Sequence, residues 1–131
     1  MKRRILVADD NEHIRMILTE FLKYDYDIIA FSCGSEILNF LGQGNIPDMI
    51  ISDVMMPNLN GWDLINKLKI SNSYNKIPVV ILSGIEKSQE KVKFLEAGVE
   101  EYMIKPFNPE ELKIRINKIF KRSVITTDNK F

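Results

Sequence analysis

The chain contains little of several residue types whose abundance would point to particular protein classes. It has one cysteine, Cys33, so no disulfide can form within it, and a lone cysteine in a small domain is usually a packed apolar group. No apolar run approaches the roughly 18 residues that a membrane-spanning helix needs, and MKRR at the start is followed by too few apolar residues for a signal peptide. These absences favour a reducing, cytoplasmic location without a membrane partner.

The chain also lacks an excess of charge of either sign. Its 18 lysine and arginine residues equal its 18 aspartate and glutamate residues, and it has a single histidine, His13. Without a basic excess there is no electrostatic reason to expect direct binding of nucleic acid. Any function therefore has to arise from a local arrangement of side chains, and His13 is predicted to face solvent.

Five short apolar runs recur along the 131 residues and predict five β-strands. Because the runs are nearly continuous and not alternating, they are typical of strands covered on both faces, as in a parallel sheet. The runs are RILVA at 4–8, DIIAF at 27–31, DMIIS at 48–52, PVVIL at 78–82 and EYMI at 101–104.

Helical patterns follow each of these runs. The first has one apolar stripe with helical spacing, formed by Ile14, Ile17, Leu18, Phe21 and Leu22. The second begins near Ser35 and the third after Gly61, whereas the fourth is assigned from Val92, Leu95 and Ala97. The fifth begins at NPEE, 108–111, which offers a capping Asn followed by Pro at the first helical position.

Strands that alternate with helices predict an α/β fold, doubly wound, with a five-stranded parallel sheet and five helices. We expect the flavodoxin-like strand order 2-1-3-4-5. The length fits one domain, which we assign to residues 1–122. Residues 123–131, SVITTDNKF, are expected to form a short polar tail or the start of a linker.

Chemically active side chains follow four of the five predicted strands. Asp9 and Asp10 follow the first, Asp53 the third, Ser83 the fourth and Lys105 the fifth. In the order 2-1-3-4-5 these four strand ends are contiguous, and ligands of open α/β sheets bind beyond the carboxyl ends of the strands. The sequence therefore predicts one site that contains all five side chains.

Three carboxylates in one crevice repel each other unless a cation offsets their charge. Oxygen ligands in a site open to water suit Mg²⁺, which we expect Asp10 to bind directly and Asp9 directly or through water. An aspartate, a hydroxyl and an ammonium near a metal are the groups needed to transfer a phosphoryl group to a carboxylate. Asp53 is the predicted nucleophile, and Ser83 and Lys105 are predicted to contact the phosphoryl oxygens.

These residues resemble the receiver domain of two-component response regulators. The resemblance spans residues 4–122 and is carried by ADDN at 8–11, SDVMMPNLNG at 52–61, LSG at 82–84 and YMIKPF at 102–107, in order and at compatible spacing. It implies that Asp53 accepts a phosphoryl group from a phosphohistidine of a sensor histidine kinase or a histidine phosphotransfer protein. It also implies a magnesium site of Asp9, Asp10, Asp53 and the main-chain carbonyl of Met55.

The resemblance further implies a switch. On phosphorylation Ser83 would move toward the phosphoryl group and Tyr102 would turn inward, and the bond between Lys105 and Pro106 would be cis. The fourth helix, fifth strand and fifth helix would then present a changed surface to a downstream protein or to a second copy of the chain. The implied chemistry is limited to self-phosphotransfer and self-dephosphorylation, so we do not expect an enzyme.

Other interpretations of the same residues stay open at this stage. Asp9 and Asp10 could simply cap the first helix. A phosphohydrolase of the haloacid dehalogenase type would need a second Asp where Met55 stands, and a flavodoxin would bind a phosphate where Asp9 and Asp10 would repel it. An interaction domain that keeps this fold without phosphorylation is a further alternative.

Overall fold

The computed structural model describes residues 2–128, with side-chain surroundings for residues 2–122. Strands and helices alternate along this part of the chain as predicted. The strands are β1 (Arg4–Ala8), β2 (Asp27–Phe31), β3 (Met49–Asp53), β4 (Val79–Ser83) and β5 (Glu101–Ile104). The helices are α1 (Glu12–Leu22), α2 (Gly34–Gly42), α3 (Gly61–Lys69), α4 (Ser88–Glu96) and α5 (Pro109–Asp128).

The five strands form one parallel sheet in the order β2-β1-β3-β4-β5, which confirms the predicted fold class. The register pairs Ala8 of β1 with Ser52 of β3, and Asp53 of β3 with Leu82 of β4. This register brings the residues that follow β1 beside Asp53. The strand order therefore places the predicted site at the carboxyl edge of the sheet.

Each face of the sheet has its own apolar core because successive strand residues point to opposite faces. On one face, Leu6 of β1 packs with buried residues of α2, α3 and α4. On the other face, Ile5 and Val7 pack with α1 and α5 through residues such as Leu18 and Ile116. Both faces are covered, which explains why the strands are apolar along their whole length.

The apolar face of α4 differs from the prediction. Val92 and Leu95 are 50% and 41% exposed, whereas Phe94 is fully buried. Phe94 is the only residue of α4 that is buried. The large ring of Phe94 faces the core and thereby sets the rotation of α4 about its own axis. A helix of only nine residues then leaves its other apolar side chains partly exposed to solvent.

Helix α5 continues to Asp128, past residue 122 where the prediction ended it. The first six residues of the predicted tail therefore extend this helix, and residues 129–131 lie outside the described residues. The division of the chain at residue 122 stays a prediction. Within residues 2–128, no helix combines the length and the apolar character that crossing a membrane requires.

Candidate functional site

The five predicted site residues lie together at the carboxyl edge of the sheet. One carboxylate oxygen from each of Asp9, Asp10 and Asp53 lies within 4.8 Å of the others. The ammonium of Lys105 reaches two of these carboxylates from the end of β5. Ser83 ends β4 and is fully buried beside them.

The loop between β1 and α1 presents the first two carboxylates. The N-cap of α1 is Asn11, whose side chain accepts a hydrogen bond from the Ile14 amide at 3.0 Å. Neither Asp9 nor Asp10 is therefore needed as the cap, and that alternative is wrong. Asp9 is 1% exposed, and its Oδ1 accepts a hydrogen bond from the Asn11 amide at 2.9 Å. Asp10 remains exposed at the rim of the site.

Lys105 connects the carboxylates of two strands. Its Nζ lies 2.8 Å from Asp9 Oδ2 and 3.3 Å from Asp53 Oδ1. The backbone holds the end of β5 in place, because the Lys105 amide donates to the Ser83 carbonyl at 2.7 Å. The Lys105–Pro106 peptide bond is cis, as the resemblance implies.

Burial and charge shift the pKa values of this pair. Burial raises the pKa of the Asp53 carboxyl, and the nearby charge of Asp9 raises it further, against the opposing effect of Lys105. Burial by itself lowers the pKa of the Lys105 ammonium, but the hydrogen bond to Asp9 and the charges of Asp53 and Asp9 outweigh it, so the pKa is raised. The site is electrostatically costly without a further cation.

We therefore expect Asp53→Asn to increase the free energy of unfolding of the metal-free protein at neutral pH. A carboxyl whose folded-state pKa is raised keeps its proton longer when folded, so the folded state loses stability as the pH rises from the ordinary pKa to the raised value. Because asparagine does not ionise, the variant does not lose stability at this position in this pH range. The stability difference should widen across this window and then stay constant, as urea unfolding between pH 3 and 8 with a chelator would measure.

The matched control is Glu100→Gln, which removes a surface carboxylate. It should leave the pH dependence near that of the unmodified chain, because surface substitutions usually change stability by less than about 0.5 kcal/mol. A variant Asp53→Asn that is less stable than the wild type at neutral pH would contradict the expected charge repulsion.

Ser83 and Tyr102 lie at the side of the site that faces α4. Ser83 Oγ accepts a hydrogen bond from the Ile85 amide at 2.9 Å. Tyr102 is 3% exposed, and its hydroxyl donates to the Ile85 carbonyl at 3.1 Å. Burial raises the pKa of the Tyr102 hydroxyl. In this structure Tyr102 thus already occupies a buried position, and both residues contact the same segment after β4.

The loop between β3 and α3 is packed closely against the site. The Gly61 amide donates to the Val54 carbonyl at 2.9 Å, and a Cβ on Gly61 would lie 2.5 Å from the Asp53 carbonyl oxygen. Met55 belongs to this loop and is 67% exposed. Only glycine allows the start of α3 to approach the backbone of Asp53 this closely.

Arg15 of α1, which is not among the predicted site residues, also contacts the site. Its Nη1 donates to the main-chain carbonyl of Asp9 at 2.6 Å. This bond ties the first turns of α1 to the loop that presents the acidic pair. A signal was present in the sequence, since Arg15 lies six residues after Asp9 and its long side chain can reach back over one helical turn.

The fold and the site define a doubly wound α/β protein with an acidic site that one lysine bridges. A sequence model of the family described as "Response regulator receiver domain" matches residues 5–117. The chain belongs to this family, the receiver domains of two-component systems. Receiver domains are signalling switches and not classical enzymes.

Individual relatives agree with this assignment. The chain is 39% identical over 118 residues to Histidine kinase P4 of Formosa agariphila, covering 90% of this chain and 8% of that protein. It is 36% identical over 126 residues to the alkaline phosphatase synthesis transcriptional regulatory protein PhoP of Bacillus subtilis, covering 95% of this chain and 51% of that protein.

Solved structures show the same fold. The receiver domain of the Francisella response regulator 1452 superposes with a TM-score of 0.83 at 35% identity, covering 92% of this chain and 98% of that one. The chain thus corresponds to nearly all of a solved receiver domain. It spans about half of PhoP and less than a tenth of Histidine kinase P4.

Proposed function

We propose that this chain is a phosphorylation switch in which Asp53 accepts a phosphoryl group from a phosphohistidine. The observation that carries the proposal is the position of Lys105, whose ammonium bridges Asp9 and Asp53 at 2.8 Å and 3.3 Å. The phosphodonor is a sensor histidine kinase or a histidine phosphotransfer protein, which the relationship to histidine kinases and to PhoP supports. A cytoplasmic location stays a prediction from the sequence.

The donor set fits Mg²⁺. Three carboxylates and one ammonium leave two negative charges, and all three side chains offer oxygen ligands, which Mg²⁺ prefers. Asp10 is the best direct ligand because it is exposed, whereas both oxygens of Asp9 already accept hydrogen bonds. The carbonyl of Met55 would complete the protein ligands. When bound, the metal would offset the charge of the phosphoryl oxygens.

Side chains of Asp53, Lys105 and Ser83 carry out the phosphoryl transfer. An Asp53 carboxylate oxygen attacks the phosphorus, the bond from phosphorus to the donor histidine nitrogen breaks, and that nitrogen keeps the electron pair and takes up a proton. Asp53 Oδ1 already accepts a hydrogen bond from the Val54 amide at 2.8 Å, which leaves Oδ2 for the attack. Lys105 and the Ser83 hydroxyl then hold the phosphoryl oxygens.

The output surface is proposed to be the face formed by α4, β5 and α5. Candidate readout residues, which would report the state of the site at this face, are Ile85 to Lys91, Glu101 and Tyr102. Glu101 pairs with Arg115 at 3.1 Å and lines a cavity of about 550 Å³ against α5. Ile114 is 55% exposed beside it and offers apolar surface to a downstream partner or a second copy.

The chemistry is tested by incubation with acetyl phosphate and Mg²⁺, followed by intact-protein mass spectrometry. We expect one phosphoryl group on the wild type, labile to base as an acyl phosphate is, and none on Asp53→Asn or in the presence of a chelator. Glu100→Gln is the matched control and should be labelled like the wild type.

A base-labile phosphoryl group that persists on Asp53→Asn would refute Asp53 as the acceptor. A wild type that stays unlabelled with acetyl phosphate, and also with a phosphorylated kinase fragment, would favour the interaction domain without phosphorylation. Release of free phosphate in many turnovers from a phosphate monoester would instead favour a phosphohydrolase, against which the exposed Met55 two residues after Asp53 already argues.

A further inference from the structure

Three aromatic rings form a continuous row from the site to the surface between α3 and α4. The rings of Phe94 and Tyr102 lie 5.6 Å apart, and the ring of Trp62 meets Phe94 edge-on at 5.2 Å and 86°. At the outer end, the Lys93 ammonium lies 4.0 Å from the centre of the Trp62 ring. Edge-to-face contacts and cations over aromatic rings are both attractive.

The inner end of this row is connected to the site by hydrogen bonds. The Tyr102 hydroxyl donates to the Ile85 carbonyl, and the Ile85 amide donates to Ser83 Oγ. A displacement of Ser83 therefore acts on the same residue that holds the Tyr102 hydroxyl. Every step between Ser83 and Trp62 is a direct contact.

Helix α4 depends on this row for its attachment to the core. Phe94 is fully buried and is the only buried residue of α4, whereas Val92 and Leu95 are half exposed. A helix with one buried anchor follows the movement of that anchor, because few other apolar contacts hold it.

We propose that Phe94 is a positioning residue that holds Tyr102 in its buried place and makes the Trp62 ring respond to the state of the site. The response of Trp62 rests on the proposed function, because the signal that reaches Ser83 is the phosphoryl group. The role of Phe94 in holding Tyr102 applies also to the protein without a phosphoryl group. Phe94 is packed between the rings of Tyr102 and Trp62, so a displacement of the Tyr102 ring is passed on to Trp62. Closely packed groups shift together and do not deform continuously.

The first experiment needs no phosphorylation. Tetranitromethane nitrates exposed tyrosines, and peptide mapping gives the rate for each of the four tyrosines of the chain. We expect Phe94→Leu to raise the nitration rate of Tyr102 by roughly tenfold, because local opening becomes easier. The matched control is Phe120→Leu, in the core on the other face of the sheet, which should leave Tyr102 protected.

The second experiment uses the single tryptophan as its probe. Beryllofluoride with Mg²⁺, a mimic of the phosphoryl group, should change Trp62 emission in the wild type and in Phe120→Leu. The change should be absent in Phe94→Leu, although acetyl phosphate still labels that variant in the mass spectrum. Circular dichroism verifies folding, and Phe94→Met replaces Phe94→Leu if the latter does not fold.

The outcomes separate this proposal from the proposed function. Equal protection of Tyr102 in Phe94→Leu and in the wild type would overturn the positioning role. Unchanged Trp62 emission in a wild type that carries the acyl phosphate would overturn the coupling while the phosphorylation stands. If the wild type takes up no phosphoryl group, the proposed function fails, and the nitration rates alone decide the role of Phe94.

Discussion

Replacing Lys105 by methionine is expected to lower the free energy of unfolding of the metal-free protein by about 3 kcal/mol at pH 7, because removing one partner of a buried ion pair leaves an uncompensated charge. Lys105 touches both Asp9 and Asp53, whose side chains are 1% and 8% exposed. Methionine keeps the apolar stem of the side chain, so the loss of stability measures the contribution of the ammonium group. Urea unfolding with a chelator present gives the value.

The effect of Lys105→Met should depend on pH and on Mg²⁺ in a defined direction. Without the ammonium the pKa of the Asp53 carboxyl rises further, so the destabilisation shrinks as the pH falls and this carboxyl becomes protonated. Mg²⁺ should stabilise Lys105→Met more than the wild type, because it supplies the missing positive charge. A ligand present at 100 times its Kd raises the free energy of unfolding by about 2.7 kcal/mol, a difference that unfolding experiments resolve.

The matched control is Lys105→Arg, which keeps the positive charge and should lose far less stability. A destabilisation of Lys105→Met that is equal at pH 4 and pH 7 would contradict the electrostatic explanation. It would assign the loss to packing of the lysine stem instead.

Gly61→Ala is expected to destabilise the protein by about 3 kcal/mol, at the upper end of what overpacking costs. The added Cβ would lie 2.5 Å from the carbonyl oxygen of Asp53 and 3.0 Å from Cα of Val54, and both are backbone atoms that cannot rotate away. The start of α3 or the end of β3 has to move. Mg²⁺ should then stabilise the variant less than the wild type, because Asp53 and the Met55 carbonyl shift.

Gly42→Ala is the matched control for the close approach at Gly61. It lies in α2, where an added Cβ would meet nothing within 4 Å. We expect it to be neutral or to stabilise the protein by up to about 1 kcal/mol, because alanine favours the helix over glycine. Equal thermal and urea stability of Gly61→Ala and Gly42→Ala would contradict the proposed contact.

The strands could be predicted because a buried parallel sheet has a strong local signature, and their order was expected from the flavodoxin-like fold. Continuous apolar runs gave bounds identical to the observed ones for β1, β2 and β5 and displaced by one residue for β3 and β4. Helix α4 was predicted less well, since Val92 and Leu95 have the spacing of an apolar face although Phe94 is the buried residue. In a short helix, packing against its neighbours decides the rotation.

The members of the site were also predictable, but their connections were not. Acidic, hydroxyl and amine side chains directly after apolar runs are visible in the sequence, and the strand order brings them to one edge. The bond from Arg15 to the Asp9 carbonyl and the contact of Gly61 with Asp53 join elements that the pattern treats separately. These contacts depend on distances of a few ångströms between elements, which the spacing of apolar residues along the sequence does not specify.

The sequence by itself determined which elements form, how they alternate along the chain and which polar side chains lie at the carboxyl edge of the sheet, because these follow from local apolar patterns and from the geometry of parallel sheets. Only the tertiary structure decided that Lys105 lies between Asp9 and Asp53, and that Phe94 joins Tyr102 to Trp62. The physical reason is that such contacts arise from the close packing of side chains from different elements, which is settled only when the whole core has formed.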